Sequence, residues 1–235
     1  MPKNKIDSIF VDIDTTLVDP IPGDFHDERN LDQILAEAIA MKTGAPTDRG
    51  MCQIEEGYLS VGDMVGRKWP FGVMEGLGLS LQELWDILVE YTSYRIFFHE
   101  DAKVFLKGMR KIKGVKVYTA TTNPHYIILA KLAVGGLADL SGSPYFDLCA
   151  GGEEIYPGGK ACPEFFKALL AISRSDPENT LMVGDSPVYD LTLANAAGIR
   201  NVVLARRGQN QEVIDDSDGA IYVKSLETVL SMLAK

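Results

Sequence analysis

Apolar and polar positions follow two rhythms along the chain. Ile6 to Val11 is a short run rich in β-branched and aromatic residues, bounded by polar ones, and predicts a buried strand. It ends abruptly in Asp12-Ile13-Asp14-Thr15-Thr16. Asp19 to Asp27, with prolines, a glycine and several acids, reads as a linker. Helical spacing then takes over. Leu31, Ile34, Leu35, Ala38, Ile39 and Met41 predict an amphipathic helix over Leu31–Lys42, broken by Gly44, Pro46 and Gly50. A second helix is expected from Glu55 to Trp69, ahead of Pro70. Ser80 and Glu83 have the spacing of a capping box, opening a helix that reaches about Phe97. No strand is expected between Asp19 and Phe98.

From His99 the two rhythms alternate. Helices are expected over Asp101–Ile112, from Pro124 to Val134, over Pro163–Ile172 and Leu191–Ala197, and from Ser225 to Leu233. Asn123 is the expected cap of the second of these, with Pro124 in its first turn. Gly198 is the expected C′ residue of the fourth. Strands are expected over Val115–Ala120, Phe146–Ala150, Thr180–Val183, Asn201–Ala205 and Ala220–Val223. Strands separated by helices make an α/β fold: a three-layer parallel sheet with right-handed crossovers. The helical stretch of roughly 80 residues between the first two strands is long enough to be a separate module.

Composition narrows the class. The chain of 235 residues can hold one large α/β domain or one such domain with an insertion, and it is 46% hydrophobic and 24% charged, as in an ordinary soluble globular protein. No apolar run approaches membrane-spanning length. The N-terminus shows no secretory h-region, and the three cysteines have neither metal-like spacing nor an even count, so a cytoplasmic location is expected. A net charge of −10 argues against nucleic acid or anionic membrane as the main partner. An anionic substrate would need local positive charge.

Candidate chemistry gathers at strand ends. The first strand ends in Asp12 and Asp14, the second in Thr121, Thr122 and Asn123, and the fourth in Gly184-Asp185-Ser186, with Asp190 one turn on. Lys160 lies in the loop before the helix that precedes the fourth strand. Parallel strands put their carboxyl ends on one edge, where open α/β sheets bind ligands. Asp-x-Asp alone reads equally as a turn, and Asp185 as a helix cap. Together, four converging carboxylates would repel unless a cation sat among them, and Mg²⁺ is the natural one. Lys160 and Thr122 then offer charge and a donor to phosphate oxygens. His26, His99 and His125 have no partner spacing and read as surface or structural. Arg67, Lys68 and Trp69 read either as a solvated helix face or as a reach towards a substrate's distal group.

Asp12-Ile13-Asp14-Thr15-Thr16, the threonine after the second strand, Lys160 with Pro163 behind it, and Gly184-Asp185-Ser186-x-x-x-Asp190 resemble, in order, the four motifs of the haloacid dehalogenase-like (HAD) hydrolase superfamily. The helical insertion resembles its type-one cap. The resemblance implies a Rossmann-like core over residues 1–18 and 99–235 and a cap over 19–98 that sets specificity. It implies Asp12 as nucleophile, forming an aspartyl phosphate, and Asp14 as general acid and then base, partly buried beside Asp12. It implies Mg²⁺ held by Asp12, the Asp14 backbone carbonyl and Asp185, with Asp190 as ligand or outer partner. Thr122, Asn123 and Lys160 would bind the phosphoryl group. Three positions depart from the pattern. Thr15 stands where glycine is usual, Ala161 where proline commonly follows the lysine, and Thr121 and Thr122 leave the second motif's register open. The expected activity is hydrolysis of a small phosphorylated metabolite by a monomer or homodimer. The alternatives are a phosphotransferase or sugar-phosphate mutase of the same fold, or a non-catalytic phosphate-binding member.

Overall fold

A computed structural model describes residues 5–22, 30–61, 78–215 and 219–233. The chain runs through β1 (Ser8–Val11), β2 (Val18–Pro20), α1 (Leu31–Thr43), α2 (Thr47–Val61), α3 (Leu81–Ser93), β3 (Ile96–Phe98), α4 (Glu100–Met109), β4 (Lys116–Thr119) and α5 (His125–Val134). It continues through α6 (Pro163–Ser173), β5 (Thr180–Gly184), α7 (Leu193–Ala196), β6 (Asn201–Ala205), β7 (Val213–Asp215), β8 (Ile221–Val223) and α8 (Glu227–Leu233). Six strands form one sheet in the order β4-β1-β5-β6-β8-β7. All neighbours are parallel except β7, which pairs antiparallel with β8.

The side-chain period of two sorts the core. Ile9 and Val11 face α4, α5 and α8, where they meet Phe105, Met109, Ile128 and Val229. Phe10 faces the other side and packs with Phe165, Phe166 and Leu169 of α6. Each such fully buried side chain contributes roughly 1.5–3 kcal/mol from leaving water. Both faces of the sheet are therefore covered, as a parallel sheet requires, and the fold is the α/β core the alternation implied, Rossmann-like as the resemblance implied.

The insertion has its own apolar cluster. Leu31, Leu35, Ile39, Ile54, Leu84, Trp85 and Leu88 pack with one another and with Leu129 and Ala130 of core helix α5. The capping box at Ser80 and Glu83 forms as the sequence predicted. Gly50 does not break the chain but lies inside α2, where a Cβ would come within 2.7 Å of the Ala36 carbonyl. It is the contact point that lets α1 and α2 approach. Trp69 and the end of the expected Glu55–Trp69 helix lie outside the described residues, as do Arg67, Lys68 and His26.

Three expectations are corrected. The stretch from Asp19 to Phe98 is not free of strands: β2 and β3 form an antiparallel ribbon, Val18 opposite Phe98 and Pro20 opposite Ile96. Phe146–Ala150 is no strand. It touches β4 through a single bridge, Leu148 to Tyr118, because Thr119 and Asp147 side chains take over hydrogen bonds a ladder would make. The helix expected at Leu191 begins earlier, as a π-turn over Pro187–Thr192. Among the described residues no helix is long and apolar enough to cross a membrane.

Candidate active site

Strand register builds the site. Val11 lies opposite Thr119 of β4 on one side and Val183 of β5 on the other. The next peptide continues both pairings: the Asp12 amide donates to the Val183 carbonyl at 2.9 Å, and the Ala120 amide to the Val11 carbonyl at 2.8 Å. The residues just beyond three adjacent strands, Asp12, Thr121 and Asp185, therefore share one edge.

Lys160 is the centre of charge. Gly158 and Gly159, at φ 96° and 64°, form a left-handed turn that only glycine adopts without strain. The turn sends Lys160 inward, where it is 3% exposed. Its Nζ is 2.6 Å from Asp12 Oδ1 and 2.6 Å from Asp190 Oδ1. Asp190 Oδ2 accepts the amides of Asp185 and Ser186 at 3.0 and 2.9 Å, so the same carboxylate braces the turn that presents Asp185. This explains the glycine before Asp185: a Cβ on Gly184 would lie 2.2 Å from the Asp190 carboxyl carbon.

Asp12, Asp185 and Asp190 offer carboxylate oxygens within 4.8 Å of one another. Hard oxygen donors in this arrangement fit Mg²⁺. Both Asp190 oxygens are committed, to Lys160 and to the turn, which leaves Asp12 Oδ2 and Asp185 as the available donors. Thr16 lies between them, fully buried, with its hydroxyl 3.4 Å from each. The Asp14 carboxylate is not part of this cluster.

Electrostatics follow from burial. Removal from water pushes the Asp12 pKa up to about 7 from its ordinary 3.8. Lys160 pulls against that, while Asp190 and Asp185 add to it. Burial works against the Lys160 ammonium too, but Asp12 and Asp190 outweigh it and hold its pKa above the usual lysine value. Burial also raises Asp185. Folded Asp12 thus keeps a proton that the unfolded chain has released, and stability falls as pH rises between about 4 and 7. A divalent cation bound between Asp12 and Asp185 would replace that proton. Added Mg²⁺ is expected to raise the melting temperature by several degrees at pH 8 and by little at pH 5, relative to chelator. Equal shifts at both pH values, in calorimetric melts, would show that the ion does not compete for that proton.

The remaining predicted residues are placed as follows. Asp14 is not buried beside Asp12, as its role as acid implied. Its side chain is 48% exposed, with Oδ1 2.5 Å from Lys131 Nζ and Oδ2 accepting the Asn123 amide at 2.5 Å. Asn123 does not cap α5: Pro124 occupies the N-cap position and makes no side-chain cap bond. Thr121 is buried, and its hydroxyl accepts from the Asn123 side chain at 2.8 Å. Thr122 is exposed and points no hydrogen bond into the cluster among the described residues. The Thr121–Asn123 turn is clamped by Gly151 and Gly152, whose Cβ atoms would strike its carbonyls at 2.5–2.6 Å. Thr15 holds φ 55°, a left-handed conformation costly for a β-branched residue. That is the physical reason glycine suits this position. Its hydroxyl donates to the Asp14 carbonyl at 2.7 Å.

Sequence reasoning missed Thr16, Lys131 and Arg207. Arg207 holds the Thr16 carbonyl at 2.8 Å and Asp101 at 3.1 Å, fixing the loop after β1 from the far side. Thr16 stood inside the first motif, and Lys131 is the one lysine in an otherwise apolar helix; both were visible signals. Arg207 had none. Of the histidines, His99 pairs with Asp19 at 2.9 Å across the ribbon, and His125 reaches the Cys149 carbonyl.

Solved structures share this fold along nearly the whole chain. A HAD phosphatase from Thermococcus onnurineus is 21% identical, covering 97% of this chain and 98% of its own, with a TM-score of 0.55. CbbY from Rhodobacter sphaeroides, solved in complex with phosphate, is 15% identical over 98% of this chain and 100% of its own, with a TM-score of 0.53. L-2-haloacid dehalogenase from Xanthobacter autotrophicus, with chloropropionic acid covalently bound, is 16% identical over 97% and 98%, with a TM-score of 0.54. No curated protein shows significant sequence similarity to the chain. The model of the haloacid dehalogenase-like hydrolases matches residues 6–198, a span that takes in every strand-end group described above, and the chain belongs to that family of hydrolases.

Proposed function

We propose that the chain is a Mg²⁺-dependent phosphatase that hydrolyses a small phosphomonoester through an aspartyl phosphate on Asp12. The observation that carries this reading is Asp14: a second carboxylate, outside the Asp12–Asp185–Asp190 cluster and half exposed. A halide leaves without a proton, whereas an alkoxide needs one, and a separate carboxylate is the group that supplies it. The fold alone serves both chemistries, since its structural neighbours include a phosphatase and a dehalogenase.

In this reading an Asp12 oxygen attacks phosphorus and the ester P–O bond breaks, its electron pair going to the departing oxygen, which takes the Asp14 proton. A water then attacks the phosphoryl group, gives a proton to Asp14, and the P–O bond to Asp12 breaks to release inorganic phosphate. Lys160 fixes Asp12 and neutralises the incoming phosphate. Thr121 and Asn123, bonded to each other at the end of β4, would add donors to the phosphoryl group. Asp12, Asp185 and the Asp14 carbonyl would hold Mg²⁺, which supplies charge neutralisation and in-line orientation. In this reading the insertion, residues 19–98, serves as the cap that sets specificity. Enclosure suits small phosphorylated metabolites and excludes water during the first step.

The test is phosphate release from a panel of small phosphate esters with Mg²⁺ or with chelator. Release with Mg²⁺ that chelator removes is the expected result. Halide release from 2-haloacids with no phosphate from any ester would overturn it. Transfer to an added alcohol without free phosphate would identify a phosphotransferase instead.

A further inference from the structure

In α5, Ile128, Leu129, Ala130 and Leu132 are fully buried, and Lys131 lies among them with its side chain only 14% exposed. A polar head so far from water needs hydrogen-bond partners. Its Nζ is 2.5 Å from Asp14 Oδ1 and 3.1 Å from Asn123 Oδ1. Asn123 closes the ring by donating to Asp14 Oδ2 at 2.5 Å and to Thr121 Oγ1 at 2.8 Å. The amide can face only one way. Flipped, its oxygen would meet the carboxylate and its NH₂ the ammonium. Asp14 is thus half exposed and yet held at both oxygens. Helix α5 is in turn fixed against the insertion, where Leu129 and Ala130 pack with Leu84, Trp85 and Leu88.

We infer that Lys131 is a positioning residue for Asp14: with Asn123 it holds that carboxylate apart from the Asp12–Lys160 pair, in place to serve the leaving oxygen. The inference rests on the phosphatase reading. An ion pair that merely fastened α5 to the loop after β1 would affect every substrate alike. A positioning role affects only substrates whose leaving group needs the Asp14 proton. An alkyl phosphate needs it. A 4-nitrophenyl phosphate does not, because its leaving group departs as a stable anion.

The experiment compares kcat/KM of Lys131→Met with the unmodified protein on both ester types. This constant ends at cleavage of the ester bond and is blind to the later work of Asp14 on water. The alkyl ester is expected to lose about 10- to 100-fold while the nitrophenyl ester stays within about twofold. Lys131→Arg is expected to recover part of the loss. In an Asp14→Asn background, Lys131→Met is expected to add no further loss on the alkyl ester. Equal losses on both esters, or no loss on either, would overturn the inference. Should Lys131→Met fail to fold, Lys131→Gln, whose shorter and uncharged side chain cannot pair with the Asp14 carboxylate as the ammonium does, carries the same comparison. Failure of the unmodified protein to release phosphate from either ester would overturn the phosphatase reading, and this inference with it.

Discussion

Asp12→Asn is expected to lower phosphate release by on the order of 10⁴-fold or more and to leave the protein folded. Asparagine fills the same volume, but its amide neither attacks phosphorus nor forms a stable phosphoryl bond. Lys160 retains Asp190 as its counter-ion. The thermal consequence is opposite to the catalytic one. Burial opposes the charge on Asp12 and raises its pKa to about 7, so above that pH a neutral residue relieves the metal-free protein. The variant is expected to melt at or above the temperature of the unmodified protein at pH 8 in chelator. Acid-quenched protein incubated with a good ester should carry phosphate on Asp12 only when the aspartate is present. Undiminished release by a contaminant-free Asp12→Asn protein would sink the aspartyl-phosphate mechanism.

Lys160→Met is expected to be the most destabilising single change at the site. It leaves Asp12 at 7% and Asp190 at 0% exposure facing each other with no ammonium between them. Removing one partner of a buried ion pair costs about 3–5 kcal/mol, which in a chain of this size corresponds to a melting temperature lower by roughly 10 °C. The loss should shrink as pH falls through about 7, where Asp12 takes up a proton. Mg²⁺ should restore part of it at pH 8 by replacing the missing positive charge. Unchanged melting at pH 8 in chelator would mean that the cluster is neutral without Lys160. Activity should fall with it, since the phosphate loses its buried cation.

How legible these features were depended on whether their cause was local. Strands β1 and β5 and the acids behind them could be read because an apolar run and the turn that ends it are adjacent in sequence. Their parallel pairing then carried Asp12 and Asp185 to one edge. The ribbon β2–β3 could not be read, since Val18-Asp19-Pro20 is three residues long and contains a proline, and its partner lies almost 80 residues away. Phe146–Ala150 had the composition of a strand, but Thr119 and Asp147 side chains claimed its backbone. Asn123 had the local signature of a helix cap, but its Oδ1, the atom a cap would use, accepts from the Lys131 ammonium instead, while its Nδ2 donates to the distant Asp14 carboxylate. Asp14 was expected beside Asp12 because the two are close in sequence. Lys131, on a helix more than a hundred residues further on, decides where its side chain rests.

The ribbon has a consequence for how such a protein changes over time. Val18 and Phe98, paired across it, mean that the chain departs from the core and comes back at the same place. The ends of everything between them are already held together, so lengthening or shortening that stretch adds only a slowly growing closure cost. Neither β1 nor β4 needs to shift register to accommodate it. Selection can therefore rewrite the inserted residues while the strand-end acids stay where β1 and β5 put them. Insertion and strand-end groups can change as two separable traits of one chain.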